Sequence, residues 1–181
     1  MCGIRKSGLF VEGLPATPDK VASRMQYRKT LTPEQVFQKL RHYCAYQERC
    51  QQEVRAKLYT FGINKTKVEE LLTRLIEEDL VNEERYATQY AGGKFRVKEW
   101  GKFRIRAELR QRKISTYCIE KALNAIDPSD YEKTLKRLCQ KKWTSLRNTD
   151  NPYVKHAQTA SFLQQRGFEP ELIQRIIRDM K

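Results

Sequence analysis

Three stretches of this chain can be laid over one another without a gap. Val54–Leu72 reads VRAKLYTFGINKTKVEELL, Ile105–Leu123 reads IRAELRQRKISTYCIEKAL, and Thr159–Ile177 reads TASFLQQRGFEPELIQRII. Leu58, Leu109 and Leu163 coincide, at offsets of 51 and 54 residues. Each stretch reads as a helix, a tight break and a second helix. The breaks are Gly62-Ile63-Asn64, Lys113-Ile114-Ser115 and Gly167-Phe168-Glu169. Gly in the first place ends a helix at little steric cost, because it can take a positive φ. Asn64 and Ser115 are good N-caps, and Glu169 is a poorer one followed by Pro170 at the first helical position. The apolar residue before each cap can clamp a residue beyond it: Ile63 with Val68, Ile114 with Ile119, Phe168 with Ile173. A period near fifty residues with repeated turn chemistry confines the chain to a tandem helical array.

A further helix precedes each pair. The first runs from Pro33 to about Tyr46, with Thr32 as N-cap and Gln35 completing a capping box. The second runs from Glu83 to about Val97 after Asn82, and the third from Pro128 to about Ser145 after Asp127. The expected fold is therefore all-α: a tandem array of three three-helix repeats forming an elongated, curved molecule. The repeats are expected at 31–81, 82–126 and 127–181, the middle one being the basic one. Residues 1–30 hold Gly3, Gly8, Gly13, Pro15 and Pro18 and read as a flexible N-terminal tail. The period is too long for tetratricopeptide or ankyrin repeats, and no strand-like alternation appears.

Charge says what such an array would meet. Thirty-six Lys and Arg oppose 22 Asp and Glu, a net charge of +14. Self-repulsion of this size favours an anionic partner: nucleic acid first, then an acidic protein or an anionic membrane surface. A membrane is the weakest of these, since no apolar run approaches the roughly 20 residues that span a bilayer. Met1–Asp19 lacks the apolar stretch of a signal peptide, and Gly3 sits one place too late for myristoylation. A cytoplasmic protein is expected. The five cysteines (Cys2, Cys44, Cys50, Cys118, Cys139) form no C-x-x-C pair, and His42 and His156 show no ligand spacing with them. Reduced thiols with neither metal nor cofactor follow.

The excess is concentrated in the middle repeat. Lys94, Arg96, Lys98, Lys102, Arg104, Arg106, Arg110, Arg112 and Lys113 lie within twenty residues that contain only two acids, Glu99 and Glu108. Lys102, Arg106, Arg110 and Lys113 share one helix stripe, with Ile105 and Leu109 facing inward. Such a stripe is ordinarily a solvated face. Here the local and global excess coincide, which favours an anion-binding surface. Phe95 and Phe103 fall at core spacing, as do Tyr86 and Tyr90. Trp100, beside Gly101 at a helix junction, is the ring expected to be exposed. Gly92-Gly93 reads as a kink or a close helix approach. The carboxylates sit on helices rich in Lys and Leu, and no phosphate loop, zinc-protease or nucleophile-elbow motif occurs.

The combination resembles the RecX family. In the middle repeat the resemblance rests on Asn82-Glu83-Glu84-Arg85-Tyr86-Ala87, Gly101, Ile105, Glu108-Leu109, Ile114, Ile119 and Ala122-Leu123. Arg49, Glu53-Val54 and Lys57-Leu58 carry it in the first repeat, and Phe162-Leu163 with Arg166-Gly167-Phe168 in the third. The chain departs from the family at helix ends: Cys50 replaces a common Ser, Glu83 an Asp and Lys113 a Gly. The resemblance implies a non-enzymatic, monomeric modulator of the RecA recombinase. Such proteins lodge in the groove of the filament on single-stranded DNA, restrain ATP hydrolysis and strand exchange, and favour disassembly. It makes Lys102, Arg104, Arg106 and Arg110 the leading contacts. A general DNA or RNA binder and a scaffold for acidic proteins remain open alternatives. Sequence-specific readout is disfavoured, because Ser115–Ile126 offers only Asn124 for it.

Overall fold

The computed structural model describes residues 31–147 and 151–179, so the expected N-terminal tail lies outside the described residues. These residues form nine α-helices and no strand. They are α1 (Pro33–Tyr46), α2 (Gln51–Tyr59), α3 (Lys65–Glu77), α4 (Glu83–Lys98), α5 (Lys102–Gln111), α6 (Thr116–Asn124), α7 (Pro128–Ser145), α8 (Pro152–Gln165) and α9 (Pro170–Arg178).

Local chemistry sets the ends. Thr32 and Gln35 exchange hydrogen bonds in a capping box at the start of α1. Asn64, Asn82, Ser115 and Asp127 accept from the backbone N–H of the third helical residue at α3, α4, α6 and α7. The three breaks all turn through the left-handed region, with φ of 74° at Gly62, 57° at Lys113 and 88° at Gly167. At the second and third breaks the following amide reaches back across the turn, Ile114 N–H to Leu109 O and Phe168 N–H to Leu163 O, both at 3.2 Å. That closure satisfies carbonyls the helix would otherwise leave open. Lys113 pays about 1 kcal/mol for a conformation that glycine would take freely.

The core is divided in two, not three. α1–α3 close on their own cluster, built on Val36, Phe37, Leu40, Leu58, Leu71 and Leu75. α4–α9 share a single second cluster that includes Ile105, Leu109, Ile119, Leu135, Leu163 and Phe168. Cys50, just ahead of α2, also belongs to this second cluster. Each fully buried Leu or Ile there contributes about 2 kcal/mol. Of the expected clamps, Ile114 and Ile119 lie in this one cluster, as do Phe168 and Ile173. Polar contacts join α4 to the first triplet: Arg85 pairs with Glu48 at 2.6 Å and with Asp79 at 2.8 Å.

The joint between the second and third triplets is backbone on backbone. Gly101 N–H donates to Arg166 O at 2.8 Å and Phe103 N–H to Gly167 O at 3.0 Å. The Tyr131 hydroxyl accepts from Lys102 N–H at 2.9 Å and donates to the Glu169 carboxylate at 2.7 Å. Glu169 therefore does not cap α9 with its side chain, as the sequence had implied; that side chain is engaged by Tyr131. A Cβ on Gly101 would stand 2.2 Å from the Gly167 carbonyl, so only glycine permits this approach.

One of the two roles expected of Gly92 and Gly93, a close helix approach, is not met. α4 runs unbroken through both, a Cβ at Gly93 would meet nothing, and one at Gly92 would meet only the flexible end of Arg96. Close helix approach is thus not what these glycines serve. Two substitutions separate the cases in urea unfolding. Gly101→Ala is expected to cost about 3 kcal/mol through overpacking against backbone. Gly93→Ala is expected to gain about 1 kcal/mol of helix propensity. A Gly101→Ala protein as stable as its parent would contradict the joint described above.

Candidate interface for an anionic partner

The nine cations singled out by the sequence do not form one face. Lys102, Arg106 and Arg110, at i, i+4 and i+8, run along one flank of α5, and Lys113 follows beyond its end. Arg104, Glu108 and Arg112 run along the opposite flank, towards Lys94 of α4. Ile105 and Leu109 are buried between the flanks. Arg96 and Lys98 project from the exposed last turn of α4.

On the first flank Arg106 is already engaged. Its guanidinium makes a two-pronged pair with Glu120 of α6, both bonds at 2.9 Å. The same pair occurs 51 residues earlier, Arg55 with Glu69 at 2.9 and 3.0 Å. Arg106 thus repeats a tie that staples the two helices of a repeat across their break. Its hydrogen bond holds the Glu120 carboxyl below the usual range, with help from the charges of Arg110 and Lys102. Lys102 lies 5.2 Å from the centre of the Tyr131 ring, and Arg110 is exposed. Phe103, expected to pack, is 48% exposed. It lines a shallow groove with Arg106, Ala107, Arg110 and Glu120.

The other flank is aromatic. Trp100, expected to be the exposed ring, is half-buried against the second core. Arg104 lies 4.1 Å from its ring centre and Lys94 lies 5.2 Å away. Lys94 is also 5.0 Å from the Tyr90 ring, and Arg112 is 4.7 Å from it. Arg112 pairs with Glu108 at 2.8 Å, and Tyr90 donates its hydroxyl to the same carboxylate at 3.3 Å. Between this flank and the α1–α2 connection lies an open groove of about 470 Å³, lined among others by Glu48, Glu53, Tyr86, Tyr90, Lys94 and Arg112. Phe103 and Trp100 exchanged the places expected of them because helix spacing carries no information about the junction. There Trp100 packs against the second core, while Phe103 in the first turn of α5 faces solvent.

Sequence reasoning missed the third triplet. Arg104 donates to Gln165 O at 3.3 Å, and Arg166 donates to Lys98 O at 3.2 Å and sits 3.5 Å from Glu99. Arg166 and Lys142 both lie over Phe162, at 4.9 and 5.7 Å, and Lys155 lies 4.6 Å from the Trp143 ring. One signal was available: Arg166 stands 54 residues after Arg112, at the matching place before the third break. Among the described residues no group of three or more His, Cys, Asp or Glu could hold a metal. Burial pushes the thiols of Cys44 and Cys139 up to about 11, far from a reactive thiolate. No described helix is long and apolar enough to cross a membrane.

Fold and surface together define a class: an all-helical tandem-repeat protein with a basic, aromatic-lined surface. Residues 82–123 match the family model of the second three-helix domain of RecX, and residues 129–177 that of the third. The chain belongs to the RecX family. It is 30% identical over 146 residues to the regulatory protein RecX of Pseudomonas savastanoi pv. phaseolicola, covering 81% of this chain and 92% of that one. With the Clostridium botulinum regulatory protein RecX it shares 27% identity over 130 residues, 71% of this chain but 60% of that one. The crystal structure of RecX from Lactobacillus salivarius superposes with a TM-score of 0.74 at 24% identity, covering 81% of this chain and 95% of that one, which is a likeness of fold.

The Arg106–Glu120 pair yields a prediction. The carboxyl is depressed in the folded state, so its contribution is present above the unfolded value of 4.5 and lost as pH falls through the folded one. Glu120→Gln is expected to cost under about 1 kcal/mol near pH 7, the pair being part-exposed, and less at about pH 3, below the unfolded value. Urea unfolding at both pH values checks this, and a loss independent of pH would contradict it.

Proposed function

We propose that this chain is a non-enzymatic regulator that binds the RecA–single-stranded DNA filament and inhibits its ATPase and strand-exchange activity, acting in recombination and repair. Family membership supports the reading, and the single observation that carries it is the flank of Lys102, Phe103 and Arg110. An exposed aromatic ring set among cations is the composition of an interface anchor. The flank stands on a helix whose start is fixed by the third triplet. Lys94, Arg96, Lys98, Lys102, Arg104, Arg106, Arg110, Arg112 and Lys113 form the proposed contact set. Arg106 and Arg112 already spend their charge on Glu120 and Glu108, so Lys102, Arg110 and Lys113 lead on the recombinase side. The protein acts as a cytoplasmic monomer in this reading.

A general DNA- or RNA-binding role is the second reading, favoured by the cations lying over Tyr90 and Trp100. The test uses RecA preassembled on single-stranded DNA, with ATP hydrolysis followed while the protein is added below filament stoichiometry. The parent is expected to inhibit. A Lys102→Glu, Arg110→Glu variant is expected to need at least about tenfold more protein, the loss of roughly 1.4 kcal/mol of binding. No inhibition by the parent even in excess would sink the regulator and leave the second reading.

A further inference from the structure

We infer that a single-stranded nucleic acid runs along the aromatic flank of α5 and continues onto the third triplet, over Tyr90, Trp100, Phe162 and Trp143. The inference rests on the reading of the chain as a protein that meets single-stranded DNA, and it locates that contact.

Four half-buried rings carry it. All four pack against the second core and keep part of their surface open. Rings fixed in this way lose little freedom when a base stacks on them. Cations lie against every ring: Lys94 between Tyr90 and Trp100, Arg104 over Trp100, Lys142 and Arg166 over Phe162, and Lys155 over Trp143. The two halves are physically continuous, because Arg104 is bonded to Gln165 O and Arg166 to Lys98 O. On α8, Lys155, Phe162 and Arg166 share one face at i, i+7 and i+11, and Lys155 extends that face to Trp143.

The chemistry of the ligand follows from two features. Rings with cations laid against them match the bases and phosphates of a strand, and guanidinium planes offer a further stacking surface. A duplex keeps its bases stacked inside and would use the cations alone. Second, Lys94, Arg104, Lys142 and Lys155 have no carboxylate at ion-pair distance among the described residues. Their charge is parked over rings and available to phosphate. The opposite flank has Phe103 as its one exposed ring, and the Arg106 guanidinium 5.9 Å from that ring is already held by Glu120.

The chain has two tryptophans, and both lie on the track. Each can report alone: Trp143→Phe leaves Trp100, and Trp100→Phe leaves Trp143. The full-length chain is titrated with a thymidine oligonucleotide, without recombinase, while tryptophan fluorescence is followed. Both reporters are expected to respond at the same DNA concentration. A log–log salt slope near −3 is expected for about four phosphates, at roughly 0.7 each. Lys94→Gln with Lys142→Gln is expected to weaken binding at least tenfold. Lys39→Gln with Lys65→Gln, which removes equal charge from α1 and α3, is expected to weaken it less than threefold. A response from one tryptophan only would overturn the continuous track. Equal weakening by the two pairs would overturn it as diffuse electrostatics, and equal quenching by a poly-glutamate peptide would reassign the surface to acidic protein. No response of either tryptophan in the parent chain to the oligonucleotide, with RecA inhibition intact, would sink the track alone. Quenching of both reporters without effect on RecA would support the track and sink the filament reading.

Discussion

The start of α5 is the point on which the second and third triplets depend. A helix N-terminus exposes unpaired N–H groups and the positive end of the helix dipole. α5 makes this worse, because its cap residue is Gly101, its first turn holds no acid, and Lys102 and Arg104 add positive charge there. Nothing local can supply the missing acceptors. They come from the α8–α9 turn, as the carbonyls of Arg166 and Gly167, and from α7, as the Tyr131 hydroxyl. Burial, then the neighbouring Glu169 carboxylate, push the Tyr131 phenol far above its usual range, so it stays neutral and can accept and donate together. The absence of a side chain at Gly101 is what lets the two backbones meet.

That joint has a consequence for recognition. The second and third triplets share one core and a backbone seam, so rings on α4 and α8 hold a fixed relation. A surface spanning them is preorganised and loses little entropy when a ligand binds. The two flanks of α5 also differ in kind. One carries an exposed phenylalanine among cations, and the other carries cations laid over half-buried rings. Under the proposed function, these two unlike faces of α5 are the surfaces assigned to protein and to nucleic acid.

Local structure was legible in the chain because it is written in local chemistry. Thr32 with Gln35, Asn64, Ser115 and Asp127 mark helix starts, and the three left-handed breaks align across the repeats, even with Lys113 in place of Gly. The partnerships were not legible. Tyr131 reaches the Lys102 amide across 29 residues and the Arg104 guanidinium reaches the Gln165 carbonyl across 61, and no periodicity encodes either. The merging of two repeats into one core follows from that seam, so it was hidden with it. Arg106 could have been read correctly, since the 51-residue offset maps Arg55 and Glu69 onto Arg106 and Glu120. The aromatic cluster on α7 and α8 stayed out of sight because its charges are spread along the sequence and gather only on folding.

Amide hydrogen exchange at the start of α5 tests the central claim most directly. The first N–H groups of a helix ordinarily exchange fast, for want of partners. If the third triplet caps α5, the amides of Gly101, Lys102 and Phe103 exchange as slowly as those of Ile105 and Leu109, and Tyr131→Phe releases Lys102 first. Exchange of those three amides at the rate of an open helix end, with Ile105 still protected, would contradict it.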